Sequence, residues 1–168
     1  MASVSDEHLR ESAASLGCLL RDRSLMISAA ESCTGGWISK ALTDNAGSSD
    51  YVGVGLVTYS NEAKQTLLGV SQQDLSEFGA VSEAVVRQMV TGTLRLTGAD
   101  LAVAVSGVAG PGGGSEDKPV GRVWFAWGNR QGLLEARCCQ FRGDRNGVRS
   151  ESVAFALEAV REFVQREH

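Results

Sequence analysis

Between residues 6 and 23, apolar side chains recur at Leu9, Ala13, Leu16 and Leu20, the spacing of one helix face, and Ser5 stands where an N-cap belongs. Residues 25–30 form a short apolar run that stops at the polar string Glu31-Ser32-Cys33-Thr34-Gly35-Gly36, and a helix carrying Trp37, Ile38 and Leu42 is expected after it. Thr43 to Asp50 reads as a loop. Residues 51–59 alternate and are β-branched, the mark of a strand, and Asn61 to Leu68 reads as a short helix. A longer helix is predicted from Ser82 through Val86, Met89 and Leu94.

The continuous apolar run at 100–106 predicts a strand buried on both faces. A glycine-rich loop follows from Gly107 to Pro119. Strands at 120–128 and 133–141 are joined by Asn129–Gly132 in a hairpin, and a last helix shows Val153, Ala156, Leu157, Val160 and Val164 on one face. After the opening helix the order is β-α-β-α-α-β-β-β-α. That order predicts an α/β fold, a three-layer α/β/α sandwich on a mostly parallel mixed sheet of about five strands with one antiparallel strand. No linker, charge block or repeat divides the chain, so residues 1–168 are expected to form a single domain.

Composition narrows the chemistry. A net charge of -4 offers no bulk attraction for nucleic acid or anionic lipid. The only histidines, His8 and His168, lie near the ends, which disfavours a Ser-His-Asp centre and His-rich zinc sites. The four cysteines, Cys18, Cys33, Cys138 and Cys139, show no Cys-x-x-Cys spacing and are expected to be buried thiols. With no signal peptide and no long apolar run, a soluble cytoplasmic protein is the expectation.

Three segments that follow apolar strands, 31–36, 59–64 and 106–114, would converge beyond the carboxyl ends of a parallel sheet, where open α/β sheets bind ligands. In the first, Ser32 at a strand-to-helix turn sits beside helix N–H groups that could hold an oxyanion or a phosphate; alternatively Ser32 or Thr34 merely caps the helix. A serine nucleophile without histidine needs another base, and Lys64 is one of three lysines, although a lysine there could equally be a solvated helix residue. The run from Ser106 to Gly114 lacks Walker A and GxGxxG spacing and is either a ligand cradle or a mobile surface loop. Arg142, Arg145 and Arg149, expected to open the last helix, either clamp a phosphate or are surface solvators.

The strings AESCTGGWISKALTDNAGSSDY at 30–51, VTYSNEAK at 57–64, GAVSE at 79–83, SGVAGPGGGSEDKPVG at 106–121 and FRGDR at 141–145 together resemble the CinA C-terminal domain family, over about residues 10–165. The resemblance implies a three-layer α/β/α fold and a homodimer. It also implies hydrolysis of the carboxamide of nicotinamide mononucleotide to nicotinate mononucleotide and ammonia, in pyridine-nucleotide recycling. Ser32 is then the nucleophile and Lys64 its base, with Tyr59, Asn61, Ser106, the loop residues Gly107, Ala109, Gly110 and Gly112, and Arg145 as further site residues. Some members carry threonine at the position of Ser106, which keeps the hydroxyl. Longer CinA proteins carry an additional N-terminal domain with pyrophosphatase-type chemistry; it is not expected in this chain, and that activity is not carried over.

Residues and resemblance meet in one mechanism: Ser32 attacks, neutral Lys64 takes its proton, N–H groups at Thr34 and Gly35 hold the oxyanion, and no metal or organic cofactor is needed. Burial, aided by a nearby cation such as Arg145, is expected to lower the Lys64 pKa to about 7 to 8. The competing expectation is a non-catalytic nucleotide-binding regulatory module.

Overall fold

The computed structural model describes residues 3–167. Helix α1 spans Asp6–Asp22, and Ser5 caps it by accepting a hydrogen bond from the His8 amide. Then come β1 (Ile27–Glu31), α2 (Trp37–Thr43), a 3-10 turn at 48–50 and β2 (Val52–Val57). Helices α3 (Asn61–Leu68), α4 (Gln72–Phe78) and α5 (Glu83–Thr97) lead to β3 (Leu101–Gly107). Strands β4 (Arg122–Asn129) and β5 (Leu134–Gln140) and helix α6 (Arg145–Glu167) complete the order.

The five strands lie in the order β2-β1-β3-β4-β5. Both neighbours of β1 run parallel to it, while β4 runs antiparallel to β3 and to β5. This is the expected mixed sheet with one reversed strand, and its order places the carboxyl ends of β2, β1 and β3 side by side.

Period-two alternation along β3 divides the core in two. Leu101, Val103 and Val105 join the cluster formed with α1, α2 and α6, whereas Ala102 and Ala104 face α3, α4 and α5. Small residues on the second face let α5 lie close to the sheet. Gly92 allows α5 the same closeness to α3, since a Cβ there would stand 2.0 Å from the Leu68 carbonyl oxygen. Burial on both faces, rather than any single contact, sustains the fold; removing one such leucine costs about 2–5 kcal/mol.

Several expectations change. Strand β2 ends at Val57, so Thr58 and Tyr59 lie beyond it. Helix α4 carries one buried residue, Leu75, and therefore gives no apolar period to read. Helix α6 starts at Arg145, leaving Arg142 exposed ahead of it. Of the cysteines only Cys33 is buried; Cys18 and Cys138 are exposed and Cys139 is half-buried. The pair at 138 and 139 sits on an edge strand, which has one solvated side. His8 is exposed on α1, and His168 lies outside the described residues. Among the described residues no helix is long and apolar enough to cross a membrane.

Candidate active site

The turn after β1 is built around a buried carboxylate. Glu31 has no exposed surface, and its two oxygens accept from the Thr34 hydroxyl at 2.7 Å, the Ile38 and Ser39 amides at 2.7 and 3.0 Å, and the Ser39 hydroxyl at 2.8 Å. Glu31 thus satisfies the amino end of α2 from outside the helix, where orphan N–H groups need acceptors. The N-cap position itself is Gly36, at φ +99°, with no side chain to offer. Two expectations fall here. Neither Ser32 nor Thr34 caps α2. The first-turn amides of α2 are already occupied, with the Trp37 amide donating to the Thr34 carbonyl at 3.2 Å, so they are not the oxyanion donors.

Freed from capping, the Ser32 hydroxyl meets Lys64. Ser32 is 9% exposed and Lys64 1%, and the Lys64 Nζ lies 3.0 Å from the Ser32 Oγ. Nζ also donates to the carbonyls of Thr58 at 2.6 Å and Tyr59 at 3.3 Å. Those carbonyls are available because β2 stops at Val57 and the chain swings over Lys64 before Ser60 caps α3 through the Ala63 amide. The solvated-helix alternative for Lys64 is therefore excluded by its burial. Desolvation lowers the Lys64 pKa from 10.5 to about 8, opposed by the Cys33 thiol. Burial also pushes Cys33 up to about 11, so near pH 8 that thiol is neutral and its opposition is weak. Burial, rather than the cation of Arg145, lowers the lysine.

A cleft of about 310 Å³ opens over this pair, in the size range of small-molecule sites. Ser32, Tyr59, Lys64, Ser106, Gly107, Ala109, Gly110, Gly112 and Arg145 all line it, so most of the sequence-predicted site converges. Thr34, Gly35 and Asn61 do not. Thr34 is turned inward onto Glu31, the Gly35 amide donates to the Ser32 carbonyl at 3.1 Å, and Asn61 is exposed at the start of α3. Tyr59 is 58% exposed, and its hydroxyl accepts from Arg145 at 3.2 Å rather than touching Ser32 or Lys64. Arg145 also donates to the Gly110 carbonyl at 2.8 Å, tying α6 to the glycine loop. Beyond it a second cleft, about 610 Å³, shares Ala109 and Arg145 with the first and adds Asn146 and Arg149.

Two contributors were missed as site residues. Glu31 ends β1 and lies outside the spacing next to a helix at which caps are sought. Arg149, expected to clamp a phosphate or lie at the surface, donates instead to the Cys33 and Thr34 carbonyls, each at 3.1 Å.

Buried serine, buried lysine and a glycine-lined cleft at the carboxyl edge of a mixed sheet define an α/β protein with a strand-to-helix turn that sets a serine beside a lysine. Residues 9–164 match the CinA C-terminal domain, and the chain belongs to that family. It is 49% identical to the nicotinamide-nucleotide amidohydrolase PncC of Enterobacter agglomerans and 47% identical to that of Escherichia coli K12, in each case over 96% of this chain and 99% of the relative. The crystal structure of competence damage-inducible protein A from Klebsiella pneumoniae superposes with a TM-score of 0.92 at 41% identity, covering 95% of this chain and 99% of that one.

Proposed function

We propose that this protein is a nicotinamide-nucleotide amidase, acting as a single domain over 1–168, that hydrolyses the carboxamide of nicotinamide mononucleotide in pyridine-nucleotide recycling. The observation that carries the reading is the Lys64 amine, buried 3.0 Å from the Ser32 hydroxyl. The near-full-length likeness to relatives named for this activity supports the substrate.

The two backbone carbonyls explain how Lys64 works as a base. A neutral amine has two N–H donors and one lone pair. With the donors spent on Thr58 and Tyr59, the lone pair is left facing the Ser32 hydroxyl, which then donates to it. Ser32 Oγ bonds to the carboxamide carbon as its proton passes to Lys64. The resulting ammonium has three donors for three acceptors, so the protonated intermediate state is fully hydrogen-bonded. That ammonium gives its proton to the departing nitrogen as the C–N bond breaks, and ammonia leaves. Water then attacks the acyl ester, with Lys64 taking its proton and passing it to Ser32 Oγ as the ester bond breaks, which releases nicotinate mononucleotide and restores both groups. The Cys33 amide, next in chain to the nucleophile and belonging to a cleft-lining residue, is the best-placed oxyanion donor, with the Thr34 amide beside it. Arg145 and the loop from Gly107 to Gly113 would receive the anionic part of the nucleotide.

A cytoplasmic setting and a homodimer belong to the same proposal. Four free cysteines, two of them exposed, suit a reducing compartment; light scattering at twice 17.7 kDa would establish the dimer. Ammonia release from nicotinamide mononucleotide by purified protein tests the function. Stoichiometric ammonia and nicotinate mononucleotide are expected, whereas tight binding without turnover would favour a regulatory nucleotide-binding module.

A further inference from the structure

We infer that Arg149 is a positioning residue that aims the backbone of the nucleophile turn, an inference that rests on Ser32 being the nucleophile. Arg149 arrives from α6, 116 residues away in sequence, and its guanidinium takes the Cys33 carbonyl through Nε and the Thr34 carbonyl through one terminal nitrogen. In a planar trans peptide, the N–H points opposite to the carbonyl of the same unit. Holding the Cys33 and Thr34 carbonyls on one side therefore turns the Thr34 and Gly35 amides to the other. The Gly35 amide closes the turn onto the Ser32 carbonyl, which in its own peptide unit directs the Cys33 amide away from that bond. Two N–H groups, those of Cys33 and Thr34, are left to serve as oxyanion donors, and the guanidinium sets the direction of one and braces the other.

The placement of Arg149 separates this role from substrate binding. Ser32 and Cys33 line the inner cleft, while Arg149 lines the outer one. Arg149 bonds the carbonyl side of the turn and is not among the residues lining the cleft over Ser32, so the guanidinium acts on the backbone of the turn rather than inside that cleft. Its planar group also lies over the Trp37 ring, 5.4 Å from its centroid, which fixes its plane on the first residue of α2. Glu31 grips the same turn through Thr34 and the start of α2. Carbonyls are held by a cation and amides by an anion. A lysine cannot replace the fork, because one ammonium does not reproduce two coplanar donors of fixed spacing.

The experiment compares Arg149→Met and Arg149→Ala with the wild type in steady-state hydrolysis of nicotinamide mononucleotide, with and without millimolar guanidinium, alongside thermal melts. Arg149→Met keeps an apolar stem over Trp37 while removing both donors. Misaligned donors should lower kcat about 100-fold. KM should stay near the wild-type value, the melting temperature should change little, and guanidinium should restore part of the kcat of Arg149→Ala. A raised KM with unchanged kcat would make Arg149 a substrate ligand and overturn the inference. Loss of kcat in step with thermal stability, with no response to guanidinium, would reduce Arg149 to a structural brace and overturn it as well. Ser32→Ala in the same series distinguishes the two levels: an inactive Ser32→Ala beside a fully active Arg149→Met sinks only the role of Arg149, whereas an active Ser32→Ala sinks the nucleophile.

Discussion

The turn after β1 and the loop after β3 both end at the same cleft, yet they are built on opposite principles. In the turn, Glu31 takes four donors, Arg149 takes two carbonyls, and Gly35 closes onto Ser32. The loop is mostly exposed from Pro111 to Asp117. A few ties hold it: Arg145 on Gly110, Ser115 with Lys118, Arg122 on the Asp117 carbonyl, and Lys118 on the Phe78 carbonyl. Covalent chemistry needs reacting atoms fixed to a fraction of an ångström, so the proposed acyl transfer would sit on the over-determined segment. Recognition of a ligand's charged portion tolerates adjustment, and loops on rigid scaffolds commonly carry it. Changes in the turn should therefore lower kcat, and changes around the loop should raise KM.

The largest effect belongs to Ser32→Ala. Its kcat should fall by about three orders of magnitude or more, as when a covalent route is lost. The fold should persist, because Ser32 caps no helix, and circular dichroism with substrate-binding calorimetry checks that the protein is intact. Lys64→Arg should come next and be nearly as damaging, since a guanidinium keeps the charge but stays protonated at working pH. Substantial activity in Lys64→Arg would make residue 64 an electrostatic anchor and leave Ser32 without its base.

A pH profile of kcat/KM sharpens the same point. The base must be neutral to accept a proton, and the neutral fraction of Lys64 grows as pH rises through about 8. Activity should climb through that value and then level off, and a profile flat from pH 6 to 9 would contradict the assignment. On the loop side, Arg145→Ala removes donors to Gly110 and Tyr59 and a cation of the cleft. It should raise KM for the mononucleotide about 10- to 100-fold, the worth of a charge-assisted hydrogen bond. The phosphate-free riboside should be affected much less; equal effects would move the phosphate elsewhere. The smallest change is expected from Gly112→Ala, because a Cβ there meets nothing within 4 Å and its φ is not positive. Kinetics within about twofold of wild type would fit a surface substitution worth no more than 0.5 kcal/mol, and a larger loss would show that the loop closes tightly on substrate.

The sequence alone carried the architecture and much of the site. Apolar runs marked the buried strands β1 and β3, and β-branched alternation marked β2 even though it lies at an edge and is largely exposed. The scarcity of histidine and lysine made Ser32 and Lys64 candidates but left capping and a solvated lysine open, and the resemblance to the CinA family supplied their expected roles. What stayed hidden was mostly backbone. The Thr58 and Tyr59 carbonyls orient Lys64 only because β2 ends two residues earlier than its β-branched pattern suggests. Helix α4 buries a single leucine and leaves no periodic trace. Glu31 caps a helix that begins six positions further on, beyond the spacing at which caps are sought. Arg149 acts on carbonyls, which no residue pattern records. The Gly35 amide, expected as an oxyanion donor, is spent inside the turn on the Ser32 carbonyl.

Hydroxylamine partitioning tests most directly whether Ser32 and Lys64 run an acyl-enzyme cycle. With hydroxylamine present during turnover of nicotinamide mononucleotide, the ester on Ser32 should be captured by the added nucleophile in competition with water. The hydroxamate of nicotinate mononucleotide should then grow with hydroxylamine concentration at the expense of the acid, and both products should vanish in Ser32→Ala. Ammonia and acid released at the wild-type rate with no hydroxamate at any hydroxylamine concentration would mean that water attacks the carboxamide directly, contradicting the covalent role of Ser32.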